Sequence, residues 1–127
     1  MKQSGNFHGL HEPTKAQEKA WLNRITEYAQ KFGAFPKQTG ASFDRHHVKG
    51  RTASHNKIHI GRWFVLPVET EYHHVLSKNS LNVTHFKKRY EQAFGSQVEQ
   101  FLKMANAILE EDGELPFPIE VLDAIKG

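Results

Sequence analysis

"DRHHVKGRTASHNKIHIGRWFVLPVETEYHH", Asp44 to His74, is the stretch that decides how this chain folds. It holds six of the nine histidines: the pair His46-His47, the singles His55 and His59, and the pair His73-His74. Ser42 to Val48 suits a short strand. Ile60 to Val68 (IGRWFVLPV) suits a stronger one, rich in aromatic and β-branched residues, with Pro67 closing it. Between them KGRTASHNKIH is too polar for a buried element. The natural reading is a β-hairpin with a long, basic, His-bearing loop. Glu69 and Thr70 then fit the first turn of a helix carrying Tyr72, His73, His74, Val75 and Leu76. A hairpin delivers the end of its first strand beside whatever follows its second, so the two His pairs are expected to converge at one end of it.

Working outward, Thr14 with Gln17 forms a capping box, and Ala16, Ala20, Trp21, Ile25, Tyr28, Ala29 and Phe32 recur at helical spacing up to Gly33. An amphipathic helix over about 14–32 follows, its aromatic stripe serving as core packing. Gly33 to Gly40 reads as a loop. After the hairpin, Lys78, Asn79, Ser80 and Asn82 interrupt the pattern. Thr84 to Phe94 reads as a helix with Phe86, Tyr90 and Phe94 inward, stopped by Gly95. Ser96 and Glu99 make a second capping box, opening a helix lined by Val98, Phe101, Leu102, Ala105, Ile108 and Leu109 that ends before Asp112-Gly113. ELPFPIEVLDAIKG closes the chain with a short helix. The fold class is therefore α+β: one small, mainly helical domain over 13–127 around a β-hairpin plus helix, with residues 1–12 as a flexible basic and polar arm.

The chain has 127 residues, 38% of them hydrophobic, which suits a single domain with a real but small core. It has no cysteine. Disulfides and thiolate zinc sites are excluded, and any metal must be held by His, Asp, Glu, Asn or water. The opening MKQSGNFHGLHEP has no apolar core and does not read as a signal peptide. No apolar run approaches membrane-spanning length, so no membrane partner is expected. Net charge is only +3, but it is unevenly spread. Arg45, Lys49, Arg51, Lys57 and Arg62 stand in a stretch without a single acid, whereas the chain from Val98 onward carries seven acids against Lys103 and Lys126. A basic centre beside an acidic tail suggests a local polyanion contact.

Gathered imidazoles make a ready metal site, because neutral His is the commonest ligand for transition metals. An imidazole left unligated there would be placed to take a proton from water, and the flanking Arg and Lys would hold phosphates. Solvent or phosphate-facing roles suit His55 and His59, and surface or hydrogen-bonded roles suit His8 and His11. One geometric condition applies to the first pair: strand neighbours point to opposite faces, so His46 and His47 share a centre only if the strand twists or ends there.

The His-His pair on a strand, the hairpin and the His-bearing helix resemble the ββα-metal finger of the HNH nuclease superfamily. More narrowly, "FDRHHVKGR" with "IHIGRWFVLPV" and "HH", preceded by "TKAQEKAWLNRI" and followed by "LPFPIEVLDAI", resembles the phage recombination-enhancing, RecA-dependent nucleases over about residues 14–125. The resemblance implies His47 as general base and His46 as metal ligand. A further ligand falls on His73 or His74, with His73 favoured because it lies four residues after Glu69. Two departures stand out. The stretch Gly61, Arg62, Trp63, Phe64 offers no central Asn to orient the base, and Asn56 comes earlier, in the loop. The zinc-binding cysteines of many relatives are also missing, leaving packing, or His55, His59 or His85 at a second metal, to reinforce the module.

What the resemblance implies is a metal-dependent DNA endonuclease of low sequence specificity, associated with phage recombination and directed by a RecA filament, in the cytoplasm of a bacterial host. His47 would deprotonate water, and a divalent metal on His46 and His73 would polarise the phosphate. Among Zn, Mn and Mg, His ligation favours Zn or Mn, since Mg prefers oxygen ligands. Arg45, Lys49, Arg51, Lys57 and Arg62 would grip the DNA backbone without reading bases. The alternative is a non-catalytic, metal-stabilised DNA-binding accessory protein.

Overall fold

The computed structural model describes residues 9–127. Its element order is α1 (Lys15–Phe32), β1 (Phe43–His47), β2 (Ser54–His55), β3 (Ile58–His59), β4 (Val65–Glu69), α2 (Thr70–His73), α3 (Lys87–Phe94), α4 (Gln97–Asp112) and α5 (Ile119–Lys126). The fold is mixed α and β, with five helices and two small antiparallel hairpins among the described residues. None of those helices is long and apolar enough to cross a membrane.

Capping chemistry sets the ends of the two long helices. At the start of α1 the Thr14 side chain accepts from the Gln17 N–H while the Gln17 side chain accepts from the Thr14 N–H. Ser96 and Glu99 do the same for α4. At the far end Gly113 takes the left-handed conformation and donates to the Leu109 carbonyl, the αL cap that leaves no Cβ strain. Gly33 also has positive φ, and a Cβ there would lie 2.4 Å from the Gln38 backbone, so only glycine lets the chain fold back so tightly after α1.

The hairpin forms as the sequence suggests, but shifted. β1 pairs antiparallel with β4 from Phe43 opposite Glu69 to His47 opposite Val65. The second strand is Val65–Glu69 rather than Ile60 to Val68, because Ile60 to Phe64 coils into turns: both Trp63 N–H and Phe64 N–H bond back to the Ile60 carbonyl. That turn drives Trp63 and Phe64 into the core, where the Trp63 carbonyl accepts from the Trp21 indole at 2.8 Å. β4 is buried at every residue, and its second edge is covered by Phe35, whose backbone exchanges bonds with Pro67 and Glu69. Among the described residues β1 pairs with no second strand.

The intervening loop is more ordered than its polarity predicts. β2 and β3 form a tiny hairpin turned by Asn56 and Lys57, both at positive φ, which is the backbone of a type I′ turn. Asn favours that turn, but Asn-Lys is a weaker signal than Asn-Gly. Residues 9–12 are tied to the domain, though Leu10 and His11 stay exposed: Leu10 bridges Ile58, and Glu12 pairs with Arg62 at 3.3 Å. The rest of the expected arm lies outside the described residues. Gly61 presses against the loop so closely that a Cβ would sit 2.1 Å from the Gly50 carbonyl oxygen.

The helix expected to carry both His73 and His74 stops at His73, and His74 is already extended. Val75 and Leu76 stay exposed, so nothing apolar pulls the helix onward. Buried Asn82 instead organises the following loop, donating to the His74 carbonyl and accepting from Thr84 N–H and His85 N–H. α3 accordingly begins at Lys87 rather than Thr84, with Tyr90 buried and Phe86 left exposed.

Candidate metal centre and phosphate-facing residues

β1 sorts the candidate residues by parity, because successive strand side chains point to opposite faces. Asp44 and His46 share one face, and α2 brings His73 against them. His73 Nδ1 lies 2.9 Å from Asp44 Oδ2, and the His46 and His73 ring centroids are 5.0 Å apart. Both rings are half-buried.

The second partner of His46 comes from α4. His46 Nε2 lies 2.9 Å from Gln97 Oε1. The Gln97 amide nitrogen faces Glu91 Oε2, and the Gln97 backbone N–H donates to the same carboxylate oxygen. The amide orientation is therefore fixed, so Gln97 Oε1 must accept and His46 Nε2 must carry the proton. His46 Nδ1 then keeps its lone pair. Asp44 in turn accepts from His73 Nδ1–H, which leaves Nε2 as the ring nitrogen turned away from the carboxylate. This is how metal-binding imidazoles are oriented: one ring nitrogen donates to a carboxylate or carbonyl, and the other is directed to the ion. Burial, then the neighbouring His73, pushes His46 down to about 4, against a raising bond from Gln97, so its ring is neutral at pH 7.

A divalent transition metal fits this donor set in kind: two imidazoles, each with one ring nitrogen engaged by a polar partner, and a carboxylate beside them. It is a sparse set. Among the described residues no three His, Asp or Glu side chains form a group able to hold a metal ion, so water and substrate oxygens would complete the coordination.

His47 points the other way, toward the α1 side of β1. Burial lowers its pKa, with the charges of Arg51 and Arg45 adding to the effect and Glu18 opposing it. Its Nε2 is buried without a hydrogen-bond partner. The structure thus brings His46 to His73 and leaves His47 across the strand from them.

The remaining candidates are dispersed. His74 Nδ1 accepts from the Leu76 N–H, and His85 Nε2 contacts the Val75 carbonyl on the surface. His55 is exposed beside α5. His59 is fully buried and its Nε2 accepts from the Arg62 N–H, a structural role that removes it as a second-site ligand. Asn56 is a turn residue. Of the basic residues, Arg45, Lys49, Arg51 and Lys57 are exposed, while Arg62 is tied to Glu12. His11 gives its carbonyl to the Trp63 indole, and His8 lies outside the described residues.

Sequence reading missed Asp44 and Gln97. Asp44 was findable, since Asp-x-His on a strand puts the carboxylate and imidazole on one face. Gln97 had no local signal: it is a buried residue opening a distant helix, reachable only through the fold. Comparison with family models, with curated proteins and with solved structures returns no match for this chain.

Proposed function

We propose that the protein is a metal-dependent endonuclease that hydrolyses DNA phosphodiester bonds with low sequence specificity, built on a ββα-metal, HNH-like hairpin and helix. The observation that carries the reading is the convergence of His46 and His73, each with one ring nitrogen engaged by a polar partner and the other left available. A bound divalent metal would polarise a nonbridging phosphate oxygen and stabilise the leaving oxygen.

The protein's own residues divide the remaining work. Asp44 and Gln97 hold the two ligand rings in register. The outer edge of β1 has no strand partner among the described residues, so a phosphodiester laid along it can be approached from both faces of the strand. His47, whose pKa burial lowers, accepts a proton from the α1 side, while Arg45 and Lys49 hold the backbone by charge. Direction by a RecA filament and a role in phage recombination rest on the sequence resemblance alone.

The sparse ligand set favours one second reading, a DNA-binding accessory protein that uses the metal only for stability. Plasmid nicking in Zn, Mn or Mg, with and without RecA filaments, separates the two. Nicking by wild type that disappears in His73→Ala is expected. Tight DNA binding without cutting under every metal would overturn the nuclease reading in favour of the binder.

A further inference from the structure

Four cations converge on one concavity that holds a single acid. On the α1 side of β1 lies a cleft of about 270 Å³ lined by Lys15, Lys19, Asn23, Arg45, Arg51 and Glu18. The cations come from three separate pieces of chain: the first turns of α1, the middle of β1 and the loop before β2. Glu18 is the single carboxylate, and it is spent on Arg51 at 2.7 Å. Among the described residues Lys15, Lys19 and Arg45 enter no ion pair, whereas Arg24, Lys31 and Arg62 all do.

This arrangement costs stability. Lys15 opens α1, where the helix dipole disfavours positive charge, and Lys19 stands one turn further along the same helix. Arg45 adds a like charge in the same cleft. Such repulsion is offset when an anion with several charges lies across the group. The cleft also has a continuation: a second concavity shares Asn23 and Arg45 with it and extends to Thr26, Phe43 and Asp44. Asp44 is the residue that holds His73. The two concavities together thus run from the cations of α1 to the strand position whose side chain holds His73.

We infer that the cleft between α1 and β1 binds the phosphodiester backbone of a nucleic acid, with Lys15, Lys19, Arg45 and Arg51 as its phosphate contacts and Glu18 as the group that sets Arg51 in place. The inference rests on the proposed nuclease reading for the chemistry at the far end of the track, but backbone binding is measurable without it. Asn23 supplies a neutral hydrogen-bonding group where the two concavities meet, so a strand can pass from one to the other.

The test is fluorescence anisotropy of a labelled DNA duplex against a salt series, with no divalent metal present, for wild type, for Lys15→Gln with Lys19→Gln, and for Lys126→Gln as a control on the distant α5. Both lysines are exposed, so the double variant should fold. Each neutralised phosphate contributes a slope of about 0.9 in log affinity against log salt. The double variant should lose about 2 units of slope and the control none. Equal slopes for the double variant and wild type overturn the inference, as does inorganic phosphate binding as tightly as the duplex at matched ionic strength. A reduced slope in a protein that fails to cut DNA in Zn, Mn and Mg alike supports the cleft and sinks the nuclease. Cutting that persists with an unchanged slope does the reverse.

Discussion

The two faces of β1 differ in almost every physical respect, although one five-residue strand supplies both. On one face Asp44 and His46 meet His73 and Gln97 in a set of polar partners, where each ring has one nitrogen engaged. On the other face Arg45 and His47 meet α1 and Arg51 in an open, cationic cleft where few groups are matched. Preorganised partners suit the holding of an ion, and unmatched charge suits the holding of an anion. Parity along a strand is enough to separate the two tasks.

The sharpest way to break this division is His47→Ala. Cleavage should fall about a hundredfold or more, the usual worth of a general base, while affinity for Zn or Mn stays at the wild-type level. Parallel nicking rates and calorimetric titrations would show it. A loss of metal affinity in His47→Ala would mean that both histidines reach one centre and that the faces are not separate.

A smaller effect is expected at the residue that holds the candidate ligand His46. Gln97→Leu removes the acceptor for His46 Nε2–H and frees the ring to turn, so metal affinity should drop by about 10- to 100-fold, the usual cost of losing such a partner. The fold should survive, because α4 keeps its capping box. Nitrogen-15 NMR of the metal-free variant should then show His46 as a mixture of tautomers, against a single Nε2–H form in wild type. A single tautomer in Gln97→Leu would detach Gln97 from the centre.

The smallest effect concerns protons. His46 is held down to about 4, mainly by burial, then by His73, with His47 and Lys87 adding to it and the Gln97 bond opposing it. An unfolded His titrates near 6.5, so above that pH neither state is protonated and nothing is lost. Between about 6.5 and 4 the unfolded chain takes up a proton that the folded one refuses, and stability declines as pH falls. At pH 5 the loss should be about 1 to 2 kcal/mol, read from urea unfolding at pH 7 and pH 5. His46→Gln should flatten part of that decline. Identical pH profiles in the two proteins would contradict the burial argument.

Much of this was legible in the sequence. The capping boxes at Thr14 and Ser96 and the stop at Gly113 placed α1 and α4 within a residue, because these signals act locally. The hairpin was also readable from order along the chain, but the meeting of the two His pairs was only half right. The register sets Glu69, and α2 after it, beside the start of β1 at Phe43, so His73 meets Asp44 and His46 while His47 and His74 stay apart. What failed was decided at long range. Ile60 to Phe64 has strand composition but turns, because Gly61 must press against the Gly50 carbonyl and Trp63 must reach Trp21. His59 resembles every other histidine in sequence, yet it is buried under Arg62. Asn82 looks like a loop breaker and is in fact the anchor of the segment that ends α2.

The central claim is that His46 and His73 together form the metal centre. Calorimetric titration of Zn and Mn into wild type, His46→Ala, His73→Ala and the distant His11→Ala tests it most directly. Sharply weakened binding in both single variants of the centre, with His11→Ala unchanged, is the predicted result. Wild-type affinity in either His46→Ala or His73→Ala would contradict it.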